Sequence, residues 1–186
     1  TPVGLNNKIF NSNHLLLSEH IVFNFILHSN YILILCFLNL NINEIGIIYL
    51  ISVLVIYVLF FKNHFKKKKL LRKNNLYEFI IIFIVSSVIF FDVGNKLILS
   101  WDAQKFWLDK SLNFYNEFSI DNLQNISRPH YPFLGPLLNS LYWKISFLSE
   151  EYAGRLIFGF IYCSSIFLLI NNLILSKIYK IIFFSL

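Results

Sequence analysis

Residues able to do chemistry are concentrated in one stretch. Ser100 to Glu151 holds six of the chain's ten acidic residues and three of its four prolines. Asp102 stands near its start, and a carboxylate there can accept a proton from a hydroxyl or orient it for attack. Arg128 and His130 precede a proline-rich turn, where a guanidinium beside an imidazole suits an anionic phosphate. Arg155 follows shortly after. Each has an ordinary reading as well. Ser100 and Asp102 match a helix start, with a carboxylate facing the helix dipole. His130 can hydrogen-bond within its turn, Arg155 can anchor a membrane helix by reaching toward the headgroups, and Asp109 and Asp121 read as solvated surface and turn residues.

Other chemistries find no support. The chain has no CxxC, HExxH, phosphate-binding glycine loop or dinucleotide fingerprint, and Cys36 and Cys163 lie in apolar runs where a thiol acts as a small hydrophobe. No metal and no cofactor is predicted.

The elements that must position these residues are membrane helices. Of 186 residues, 56% are hydrophobic and 14% charged, too little polar cover for a soluble globule. The apolar residues form long runs, predicting an all-α membrane protein: a multi-span helix bundle in one transmembrane domain over 1–186. Spans are expected at about 21–40, 46–61, 77–98 and 152–170, and a further one begins at 178. The NINE link between the first two fits a tight hairpin. Asp92 and Lys96, four apart, are placed to pair near a helix end. The chain opens with Thr1, has no Met and stops inside an apolar run, so it reads as an N-terminal fragment of a longer protein.

The net charge of +6 does not point to nucleic acid, because seven of the sixteen Lys and Arg lie between Lys62 and Lys73, beside apolar runs. That is the position of an orientation signal. With Lys177 and Lys180 on the same cytoplasmic side, the loop 100–151 faces outward from the cytoplasmic membrane. Within it, Asp102, Lys105, Asp109, Asn113 and Asn116 recur at helical spacing, opposite Trp101, Leu108, Leu112, Tyr115 and Phe118. This predicts an amphipathic helix lying in the interface. A second interfacial helix is expected after Pro129 and Pro132, with Pro136 at its first position.

The string WDAQKFWLDKS, then HYPFLGP and EEYAGRL in that order, resembles the GT-C superfamily of integral membrane glycosyltransferases, including the mannosyltransferase and aminoarabinose-transferase types. The resemblance covers Trp101 to Leu156. It implies a first outer loop with a catalytic acidic residue, matched by Asp102, and a donor sugar carried on a polyprenyl phosphate. Arg128, His130 and Arg155 are then the candidates for the phosphate or lipid donor, with Trp101, Trp107, Lys110, Tyr131 and Pro132 as the supporting motif. The acceptor would be a glycan, a lipid or a protein. The alternative is a non-catalytic membrane protein, such as a transporter subunit or scaffold, whose loop merely covers the helices.

Overall fold

The computed structural model describes residues 17–64, 73–95, 100–101, 103–117, 119–126 and 128–172. All regular structure among them is helical. In chain order, four long helices, α1 (Leu17–Phe37), α2 (Ile42–His64), α3 (Lys73–Asn95) and α6 (Tyr152–Asn172), are interrupted between α3 and α6 by a loop region. That region holds a wide π-helical turn (Ala103–Leu108), α4 (Asp109–Tyr115), a 3-10 turn (Ile120–Asn125) and α5 (Leu134–Ser146). Among the described residues, three helices are long and apolar enough to cross a membrane: Leu17–Phe37, Ile42–Leu59 and Tyr152–Ile170. Only 11% of the α2 window is buried within the protein, so its apolar side chains need cover from outside. The expected run 77–98 corresponds to α3 as far as Asn95. Lys96, Asp102, most of the basic segment and the run from 178 lie outside the described residues.

The hairpin between α1 and α2 is closed by local chemistry. Asn39 adopts φ 59°, a left-handed conformation that asparagine tolerates, and its amide bonds to Cys36 O at 2.9 Å. Asn41 then caps α2. Its side-chain oxygen accepts the amides of Asn43 and Glu44, both at 3.0 Å, while Glu44 returns a carboxylate oxygen to the Asn41 amide at 2.9 Å. This reciprocal box satisfies donors that a helix start otherwise leaves unpaired.

The chain divides into two compact units, 1–26 with 53–91 and 158–186, and 27–52 with 92–157. In the first, Ile82, Cys163 and Phe167 form a buried core against Ile21, Ile81, Val85, Ile89 and Phe160. Glu78 accepts the Ser18 amide at 3.3 Å, so a carboxylate of α3 serves an unpaired donor at the start of α1.

In the second unit α1 and α2 pair through the Tyr31 and Ser52 hydroxyls at 2.7 Å and the edge-to-face rings of His28 and Tyr49. The loop region packs onto this pair. Leu141 of α5 lies close to Gly46, and the hydroxyl of the half-buried Tyr142 pairs with Tyr49. Burial, followed by the neighbouring Tyr49, pushes the Tyr142 pKa up.

Within 101–118 the structure shows which side chains turn toward protein. Trp101 is 64% exposed and Leu112 39% exposed, whereas Lys110, Ser111 and Phe114 are buried. A π turn inserts an extra residue per turn and so rotates everything after it. The straight α-helical periodicity of the sequence does not carry through that turn. Likewise α5 starts at Leu134 rather than at Pro136, which sits within its first turn, where a missing N–H costs nothing.

Replacing Asn41 with Ala removes the cap of α2 and should lower stability by about 1 kcal/mol. Unfolding of the detergent-solubilised chain, compared with wild type, measures it; an unchanged midpoint would show that the box contributes nothing.

Candidate functional site

The loop region is fastened by a knot of buried polar side chains. Asn139 of α5 is wholly buried, and its amide nitrogen donates to Glu151 Oε1 at 2.7 Å and to Ser111 Oγ at 3.3 Å. Ser140, also wholly buried, donates to the Ser111 carbonyl at 2.6 Å and the Pro136 carbonyl at 2.8 Å. Glu151 in turn pairs with Arg155, one turn along α6. Gly154 permits this closeness: a Cβ there would fall 2.2 Å from the Asn139 carbonyl oxygen. Three segments, α4, α5 and the start of α6, are therefore joined by hydrogen bonds, buried between α4 and α5 and partly buried at Glu151.

A second cluster gathers around Phe106, on the π turn. Tyr131 stacks on it with centroids 5.1 Å apart, and Trp101 meets it edge-on at 5.8 Å. The Arg128 guanidinium lies 5.7 Å from the same ring, and Lys105 Nζ 5.8 Å from the Trp101 ring. These separations are within cation–π range. His130 sits 5.3 Å from Tyr131, ring to ring. Arg128 holds φ 58°, a left-handed conformation uncommon for a residue with a Cβ. That turn is set from below by Lys110. Its side chain is fully buried and its Nζ donates to the Tyr131 carbonyl at 2.7 Å. Burial lowers the Lys110 pKa, with the neighbouring Asp109 carboxylate working in the opposite direction.

Of the residues predicted from sequence, Trp101, Arg128, His130 and Tyr131 are brought together about Phe106, all four exposed. Pro132 is exposed beside them. Trp107 lies against Gly135, where an added Cβ would come 2.3 Å from the indole ring, so it packs the π turn onto the start of α5. Lys110 supports the turn from inside. Arg155 belongs to the other cluster, its charge engaged by Glu151. Asp102 lies outside the described residues, although its neighbours Trp101 and Ala103 are within them.

Sequence reasoning passed over Phe106, Asn139 and Glu151. Phe106 is one aromatic among many, and a mid-helix Asn carries no signal until its partners are known. The spacing of Glu151 and Arg155, four apart at a helix start, is the one signal that was available. Among the described residues no three His, Cys, Asp or Glu side chains gather as metal ligands.

No family model matches the chain, and no curated protein and no solved structure matches it either.

The buried Lys110 carries a pH signature. Its folded pKa lies below the ordinary 10.5, so between the two values the unfolded chain binds more protons than the native one. Native stability should therefore rise with pH across that window. Unfolding followed against pH in detergent should show wild type gaining on Lys110→Met as pH approaches the ordinary lysine range. Parallel pH profiles would show that the ammonium is not desolvated.

Proposed function

We propose that this chain is part of a membrane glycosyltransferase of the GT-C type, a multi-span helix bundle whose loop 100–151 lies on the outer face of the cytoplasmic membrane as two interfacial helices. It moves a sugar from a polyprenyl-phosphate-linked donor to an acceptor glycan, lipid or protein. The observation that supports this reading is the meeting of two segments distant in sequence, with Trp101 and Phe106, near Asp102 in the chain, on one side and Arg128 and Tyr131, with His130 against Tyr131, on the other. Aromatic faces beside cations suit a sugar joined to a phosphate.

In the reaction the acceptor oxygen attacks the anomeric carbon as the bond from that carbon to the phosphate oxygen breaks. The electron pair leaves with the lipid phosphate. Asp102 takes the acceptor's proton or holds its hydroxyl in line. Arg128 and His130 receive the phosphate charge, a stabilisation that matters most where water is scarce. Arg155, paired with Glu151, acts in this reading by holding α6 to the loop rather than by meeting the donor.

Two measurements test the reading. Cysteines placed at Gln104 and Asn125, after removal of Cys36 and Cys163, should react with an impermeant reagent added outside the cell; reaction only from the cytoplasm overturns the topology and the site with it. In membranes carrying the full-length protein, Asp102→Asn should abolish transfer of labelled sugar from the polyprenyl-phosphate donor while insertion is unchanged. Transfer at the wild-type rate would remove Asp102 from catalysis and favour the scaffold or transporter reading.

A further inference from the structure

The turn between α5 and α6 displays two apolar side chains. Phe147 is 91% exposed and Leu148 53% exposed. Phe147 also occupies φ 57°, a left-handed position for which glycine is the usual choice. The ring's apolar surface is left without cover, and the left-handed backbone fixes the direction in which it projects.

The turn is nonetheless firmly closed. The Phe147 amide bonds to the Lys144 carbonyl at 3.3 Å, the Leu148 amide to Ser146 Oγ at 3.2 Å, and Trp143 Nε1 to the Leu148 carbonyl at 3.1 Å. The ring is thus held outward by a fixed backbone.

Contacts within the same unit give the height of this turn. Lys144 lies 4.0 Å from Glu117, and Glu117 accepts a hydrogen bond from Asn43, which belongs to the first turn of α2. Asn43 is therefore at the end of a hairpin between two helices long enough to cross a membrane, which puts it at a membrane surface once those helices span. The same hairpin exposes Phe37 and Leu38, at 63% and 65%. Tyr115 stacks on Trp143 at 3.8 Å with Lys144 Nζ 4.3 Å above the tyrosine ring, an aromatic and cationic belt of the kind found at headgroup level. Four residues after Leu148, α6 begins its own membrane-length run.

We propose that the Phe147–Leu148 turn is a lipid-inserting wedge that enters the acyl boundary of the leaflet and fixes the height of α5 above it, with the Tyr115, Trp143 and Lys144 belt at the headgroups. The occupant of this apolar tip is lipid. The wedge rests on the chain spanning a membrane, and stands whether or not the loop is catalytic.

The test uses the full chain in phospholipid vesicles, with Cys36 and Cys163 replaced by Ala and a nitroxide attached at Phe147→Cys. Collisions with oxygen, which concentrates in lipid, are compared with those of a water-soluble nickel chelate, using Glu150→Cys as the exposed reference. The label at 147 should favour oxygen several-fold over the reference and be shielded from nickel. Nickel access equal to that at 150 would overturn the wedge, as would shielding from both reagents, which would mean a protein partner or a second copy covers the turn. A label at Leu148→Cys gives the same reading if the 147 variant does not fold, and adding Phe147→Glu should move that label toward nickel.

Discussion

The hydrogen bonds of Asn139 are the constraint on which the loop depends. One amide group ties α5 to Ser111 of α4, out of reach of solvent, and to the partly buried Glu151 at the head of α6. Such a group is worth little above its cost when satisfied, but leaving its partners unpaired in a dry interior is expensive. The knot therefore acts more as a specifier of geometry than as a source of net stability. The close approach of Gly154 follows from it, because no side chain with a Cβ fits between α6 and the Asn139 carbonyl. The ion pair of Glu151 with Arg155 completes the arrangement from the α6 side.

With the knot in place, the position of the Phe106 cluster is set by its neighbours. Ser111, in the knot, directly follows Lys110, whose ammonium holds the Tyr131 carbonyl. Tyr131 then covers one face of Phe106, with Trp101 from the start of the loop and Arg128 from its middle beside the same ring. Burying an ammonium is unfavourable unless it is hydrogen-bonded, so a lysine at this place favours one conformation of the 128–131 turn over others. A cationic and aromatic surface is the result, while the support beneath it remains internal.

Membrane-length helices leave much apolar surface uncovered by protein, most of all along α2. In lipid that surface carries no penalty, and the backbone polar groups are satisfied within each helix. The loop meets a different requirement. It has to bury its own polar atoms against protein and present its remaining apolar groups, such as Phe147, to something other than water.

How much of this could be read from the amino-acid order differs between the two parts. Long apolar runs announced α1, α2 and α6 directly, because one composition rule governs nearly every position in them, whereas α3 forms a helix but is not among the three described helices long and apolar enough to cross a membrane. The NINE link announced its hairpin, since an Asn followed three residues later by Glu closes a capping box from local atoms alone. Residues 100–151 were legible only as helical and aromatic. Which face turned inward was decided by the π turn, which breaks the periodicity that a sequence reading assumes, and by partners far along the chain. Lys110 is buried with its ammonium on the Tyr131 carbonyl, Asn139 is buried with its amide nitrogen on Ser111 and Glu151, and Arg155 is engaged because Glu151 reaches it. The sequence by itself determined the helices, their membrane length and the hairpin, all properties of local composition. Only the tertiary structure decided which polar residues work inside the loop and which stay exposed, because burial of a polar group depends on a partner that no local pattern names.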